Sequence, residues 1–117
     1  MKRILIIGGA GFVGCNLAHY FLNRGREVTV LDNFSRQGTQ RNIEWLKSNP
    51  SATLRIVHGD IRSDQEKLRE EVNKSDAVYH LAAQVAVTTS IENPREDFEI
   101  NALGTFNVLE ALRLSNQ

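Results

Sequence analysis

Apolar residues gather into four short runs, and between the runs they recur three and four positions apart. The runs are Arg3–Ile7, Glu27–Leu31, Thr53–His58 and Ala77–His80. Their brevity and β-branched content predict strands. The first, Ile4-Leu-Ile-Ile7, has no polar break, as expected of a strand buried on both faces of a parallel sheet. The segments between predict helices. Phe12–Arg24 places Val13, Leu17 and Phe21 on one face and is stopped by Gly25. Thr39–Ser48 is anchored by Ile43 and Leu46 and ends before Asn49-Pro50. Asp64–Lys74 is mostly charged, with Leu68 and Val72 turned inward. In the last helix Asn93 is placed as N-cap, Pro94 as first helical residue and Glu96 as the carboxylate reaching back. It is expected to run to about Arg113 and to bury Ala102, Phe106, Leu109 and Leu112.

Strand and helix alternate throughout. That order predicts the α/β class: a doubly wound, Rossmann-like parallel sheet with right-handed crossovers and strand order 3-2-1-4. A complete dinucleotide-binding sheet of this kind has about six strands. Four would leave the apolar edge of Ala77–His80 without a neighbour. Residues 1–117 are therefore expected to be the N-terminal part of a larger domain, with further strands and a substrate-binding region outside it.

The strongest chemical signal lies where the first strand meets the first helix. Gly9, Gly11 and Gly14 satisfy G-x-G-x-x-G, and Gly8, Gly11 and Gly14 satisfy the related G-x-x-G-x-x-G spacing. A chain that turns sharply off a strand, brings its backbone close to a pyrophosphate and packs a helix tightly on the sheet needs glycine for each task. The helix start, at Phe12 and Val13, then offers free N–H groups and a positive dipole end to the phosphates. Asp32 closes the second apolar run, 18 residues after Gly14. A carboxylate there can accept from a ribose 2′-hydroxyl and would repel a 2′-phosphate, which favours NAD over NADP. Arg36 stands near enough in sequence to receive that phosphate instead, and the competing reading of Asp32 is the start of an Asp-Asn turn.

Composition narrows the alternatives. Lys and Arg number 14, balanced by 14 Asp and Glu, so neither nucleic acid nor an anionic membrane is an expected partner. No apolar run approaches membrane-spanning length, and the aliphatic start breaks at Gly8 before any signal-peptide cleavage site. The single Cys15 excludes an internal disulfide and suits a reducing cytoplasm. Placed early in the first helix, it is expected to pack rather than react. His19, His58 and His80 share no metal-ligand spacing, so no metal site is expected.

Five ordered blocks cover nearly the whole chain: Gly8-Gly-Ala-Gly-Phe-Val-Gly14, Leu31-Asp-Asn33, Gly59-Asp-Ile61, His80-Leu-Ala-Ala83 and Asn101-Ala-Leu-Gly-Thr105. In residues and spacing they resemble the extended short-chain dehydrogenase/reductase family, especially its nucleotide-sugar epimerases and dehydratases. Ile7 departs from the threonine usual before the first glycine, which removes a hydroxyl from the loop. The resemblance implies that Asp60 holds the adenine amino group while the Ile61 N–H meets a ring nitrogen. The plainer reading of Gly59-Asp60 is a turn and cap. Asn33, Ser35 and Arg36 would line the adenosine ribose. Leu81, Ala82 and Ala83, followed by Gln84, would let the ribose and pyrophosphate lie against the fourth strand's end. Asn101 would structure the nearby loop, or else be a solvated helix position. Gln84, Thr88, Thr89 and Ser90 supply neutral donors and acceptors suited to sugar hydroxyls, or form a polar loop leading to the Asn93 cap.

The family's hydride chemistry rests on a tyrosine with a lysine four residues on, the lysine lowering the tyrosine's pKa. Here Tyr20 is followed at four by Arg24, and Tyr79 by Ala83. The chain by itself is therefore expected to contain no catalytic residue, and to hold the ADP half of NAD without turning over a sugar. For the parent protein the resemblance implies epimerisation of a nucleotide sugar by transient oxidation at C2, in a cytoplasmic homo-oligomer. A 4-epimerase or 4,6-dehydratase of the same family, and a non-catalytic dinucleotide-sensing module, are the alternatives.

Overall fold

Side chains alternate across a strand, so the aliphatic run Ile4–Ile7 needs cover on both faces of its sheet. The computed structural model, which describes residues 2–49, 53–82 and 91–115, provides that cover. Strands β1 (Arg3–Ile7), β2 (Glu27–Asp32), β3 (Thr53–His58) and β4 (Ala77–His80) form one parallel sheet in the order β3-β2-β1-β4. This is the expected doubly wound topology. Ile7 pairs with Leu31 on one side and His80 on the other, and Asp32 pairs with His58. All four strands thus end close to one level.

Two apolar layers flank the sheet. Ile4 and Ile6 join Val28 and Val30 beneath α1 (Phe12–Leu22) and α2 (Thr39–Lys47), which contribute Cys15, Ala18, Leu22, Ile43 and Leu46. Leu5, Ile7 and Leu31 face Leu68 and Val72 of α3 (Gln65–Lys74) on the other side. Each such side chain removed from water contributes about 1.5–3 kcal/mol before the entropy of ordering is subtracted. The final helical run opens as α4 (Pro94–Phe98), passes through a π-helical segment (Glu99–Leu103) and continues as α5 (Gly104–Arg113).

The anchors expected in α2 and α3 are the residues buried, and Gly25, at φ +73°, ends α1 by donating its N–H to the Leu22 carbonyl. The Asn93 cap forms, its side-chain oxygen accepting from the Glu96 N–H at 3.2 Å. Glu96 closes back on the Asn93 side-chain amide (2.9 Å).

Two expected faces require correction. In α1 the buried positions are Gly14, Cys15, Ala18 and Leu22. Leu17 and Phe21 only flank the core, and Val13 is 63% exposed. Small residues let the helix axis approach the sheet, which rotates the larger ones to its sides. In α5 the inward face is Gly104, Asn107, Val108 and Ala111, whereas Phe106, Leu109 and Leu112, and Ala102 in the π segment before them, are exposed. Two stripes of helical spacing coexist there, and periodicity alone does not choose between them. The choice falls to Ile61, whose side chain lies so close to Gly104 that a Cβ there would come within 2.5 Å of it. The π segment also shifts the phase of everything before it relative to α5.

Gly14 is the most tightly enclosed of the glycines. A Cβ at this position would lie 2.3 Å from the Gly8 carbonyl oxygen, a backbone atom that cannot move aside. Gly14→Ala is therefore expected to destabilise the chain by about 1–3 kcal/mol. Thermal unfolding followed by circular dichroism checks this; an unchanged midpoint would contradict the packing described.

Candidate functional site

The glycine connection follows directly from β1. Gly8 turns the chain at φ +87°, donates its N–H to the Leu31 carbonyl (2.8 Å), and would clash with the Ala82 nitrogen if it carried a Cβ. Gly9 lies underneath, against Val30 and Ile6. Of the two possible glycine spacings, it is Gly8, Gly11 and Gly14 that face the cleft above the strand ends. Gly11 differs from the other two. A Cβ there would meet nothing closer than the Gly8 oxygen at 3.5 Å, so the protein's own packing does not demand glycine. What a side chain at Gly11 would fill is the cleft itself, at the N-cap of α1, where the first helical amides have no carbonyl partner within the helix. A diphosphate fits that cradle in both charge and space.

Asp32 ends β2 at the rim of the same cleft. One carboxylate oxygen accepts from the Ala10 N–H (3.1 Å) and the other from the Phe34 N–H (2.7 Å). Asp32 starts a turn that puts Phe34 at φ +59°, and each of its oxygens keeps acceptor capacity for a hydroxyl. Asn33 repeats the motif, accepting from the Ser35 N–H at 3.1 Å. Phe34 stacks on His58, with ring centroids 5.6 Å apart.

The turn after β3 is held from three directions. Asp64 accepts the Asp60 N–H (2.7 Å), Lys67 caps the His58 carbonyl (2.7 Å), and buried Asn107 of α5 donates to the Ile61 carbonyl (2.8 Å). Asp60 itself accepts from the backbone N–H and the guanidinium of Arg62, at 2.7 Å for the closest pair. That guanidinium, more than anything else, holds the Asp60 pKa down to about 2, against a smaller upward push from burial. Burial raises the Cys15 thiol pKa, and its Sγ lies 3.4 Å from the Phe12 carbonyl, in keeping with a packing role.

These parts enclose a cleft of about 290 Å³, near the lower end of the usual range for small-molecule sites. Phe12, Val13, Asp32, Asn33, Ser35, Arg36, Asp60, Ile61, Leu81 and Ala82 line it with the three glycines. Ile7, Leu31, Gly59 and Ile100 also line it and were not expected; the first three continue strand ends whose role was legible. Ile100 reaches the cleft from the π segment, for which the sequence carries no signal. The Asn101 side-chain amide donates to Asp97 (3.0 Å), one turn back in the helical run, and does not line the cleft. Ala83, Gln84, Thr88, Thr89 and Ser90 lie outside the described residues. Tyr79 packs on Phe21, and Tyr20 has Arg24 over its ring at 3.6 Å, so neither tyrosine lines the cleft. Among the described residues no cluster of potential metal ligands occurs. The glycine backbone, the start of α1 and the carboxylates Asp32 and Asp60 thus share one cleft at the strand ends.

Residues 5–117 match the protein family described as GDP-mannose 4,6 dehydratase, and the chain belongs to this epimerase/dehydratase family of short-chain dehydrogenase/reductase type. It is similar to CDP-paratose 2-epimerase of Salmonella typhi, with 48% identity over 97% of this chain and 33% of that protein. It is also similar to the bifunctional UDP-glucose 4-epimerase and UDP-xylose 4-epimerase 1 of Pisum sativum, with 40% identity over 98% of this chain and 34% of that one. Its fold matches the crystal structure of DesIV, the dTDP-glucose 4,6-dehydratase of Streptomyces venezuelae with NAD and TYD bound. The TM-score is 0.83 and the identity 35%, over 94% of this chain and 35% of that chain. The chain spans about a third of the length of these relatives.

The Asp60–Arg62 pair makes stability depend on acid. Folding favours the charged carboxylate, so its contribution is full above about pH 4 and is lost as the pH falls toward 2. Denaturant midpoints of the unaltered chain and Asp60→Asn are expected to differ at neutral pH and to converge across that window. A gap that stays constant would show that the pair contributes nothing.

Proposed function

We propose that this chain forms the NAD-binding part of a nucleotide-sugar epimerase whose reaction is that of CDP-paratose 2-epimerase. The observation that carries the cofactor reading is the cleft with Gly11 open at the start of α1 and Asp32 at its rim. The α1 N-terminus and the glycine backbone take the pyrophosphate. Asp32 accepts the adenosine ribose hydroxyls, with Asn33, Ser35 and Arg36 beside it. Asp60 and the Ile61 N–H meet the adenine, and Leu81 and Ala82 leave room along the end of β4. Bound NAD supplies reversible hydride transfer at a sugar carbon, C2 in this reading. This chain's own residues bind and orient; the Tyr-x-x-x-Lys pair that would move the proton is not among its 117 residues. The preference for C2 of a CDP-sugar is supported by 48% identity to the Salmonella typhi epimerase against 40% to the pea 4-epimerase.

No helix among the described residues is long and apolar enough to cross a membrane, which suits a cytoplasmic enzyme. Exposed Phe98, Phe106 and Leu109 on the last helical run suit a homo-oligomeric parent.

Two outcomes are expected. Calorimetry with the chain should give tighter binding of NAD than of NADP, and Asp32→Ala should weaken NAD binding by about 1–3 kcal/mol. Equal or tighter NADP binding would defeat the Asp32 assignment. Incubated with CDP-paratose and NAD, the chain alone should yield no CDP-tyvelose when the CDP-sugars are resolved by chromatography; enzyme-dependent product would place the chemistry within these residues.

A further inference from the structure

Ala10, in the middle of the glycine connection, is completely buried, yet both of its backbone polar groups are held by side chains from elsewhere. Its N–H goes to Asp32 at the end of β2 (3.1 Å). Its carbonyl accepts from the Asn42 side-chain amide of α2 at 2.8 Å, across 32 positions of sequence. Peptide units are planar, so these two bonds orient two successive planes: Gly9–Ala10 through Asp32, and Ala10–Gly11 through Asn42. The second plane carries the Gly11 N–H and leads straight into the first turn of α1. Asn42 does not line the cleft. It is carried by a helix whose Ile43 and Leu46 pack in the same apolar cluster as Ala10, so the position of its amide is set by the core.

We infer that Asn42 is a positioning residue for the diphosphate, acting through the Ala10 carbonyl to aim the glycine loop and the α1 N-terminus. The inference rests on the cleft being the nucleotide site. Without the amide, a buried carbonyl loses its partner, and the Ala10–Gly11 plane is held from one edge only, by the Gly11 N–H donating to the Gly8 carbonyl at 3.3 Å. The loop then reaches the phosphates in a mixture of orientations, while the adenine subsite at Asp60 and Ile61 is held separately by Asp64 and Asn107, and Asp32 at the ribose keeps its bond from the Phe34 N–H.

The test compares ADP with adenosine, titrated into the unaltered chain and into Asn42→Leu at a temperature where circular dichroism shows both folded. ADP affinity is expected to fall about tenfold, with adenosine affinity unchanged. If Asn42→Leu does not fold, Asn42→Asp, which keeps the shape but has no N–H to donate, is read the same way. A variant with a lower melting temperature but the same ADP-to-adenosine ratio would reduce Asn42 to a structural role and overturn the inference alone. Failure of the unaltered chain to bind ADP would overturn the nucleotide reading of the cleft and this inference with it.

Discussion

The seat of α1 on the glycine connection is the contact on which the rest of the structure depends. Gly14 rests so closely over the Gly8 carbonyl that no side chain fits between them, and Gly8 in turn lies against the backbone at Ala82. The end of β1, the start of α1 and, from far along the chain, the end of β4 are thereby stacked with no side chain separating them. The approach settles how near α1 lies to β1, and so which of its residues are buried. It leaves Val13 and Phe12 facing outward, where they frame the cleft. It also brings the amide-bearing end of the helix above the strand ends, where an anion gains most from unpaired N–H groups.

Around that seat, the loops at the carboxyl edge are tied by side chains sent from neighbouring elements. Asp32 and Asn42 hold Ala10; Asp64, Lys67 and Asn107 hold the turn after β3. Backbone that leaves a strand must find partners for its N–H and carbonyl groups, and here the regular ladders have already ended. Each tie is worth about 1 kcal/mol in stability, but its effect on geometry is larger than its energy suggests. A loop held at both ends presents one surface to a ligand, and the ordering cost is met during folding rather than on binding. The exposed ion pairs, Arg113 with Glu110 and Arg95 with Glu99, have no comparable role; solvent screening leaves such pairs nearly neutral.

Much of this architecture was legible in the sequence because its signals are local. The unbroken Ile4–Ile7 run demanded two covered faces, the Asn93-Pro94-x-Glu96 pattern marked a helix start, and the glycine spacing marked a tight strand-to-helix turn. Most of the expected cleft residues are brought together for the same reason: in a parallel sheet every strand end arrives at one edge, so residues just past Ile7, Leu31, His58 and His80 become neighbours. The expectations that failed share a different feature. Val13, Phe106 and Leu109 are apolar residues at helical spacing, and the side of a helix that faces inward depends on what it meets.

The sequence by itself determined the element order, the parallel sheet, the tight glycine turn after β1 and the acidic residue beside it. Each of these follows from hydrophobic period, backbone conformation or charge within a few residues. Only the tertiary structure decided that Gly8 rather than Gly9 faces the cleft, that Ile61 against Gly104 selects the buried face of α5, and that Asn42 and Asn107 hold loops 32 and 46 residues away. The physical reason is that an asparagine has no preferred partner until packing brings one within reach. Apolar anchors such as Ile43, Leu46 and Val108 fix where a helix lies, and the polar side chains they carry become specific only then.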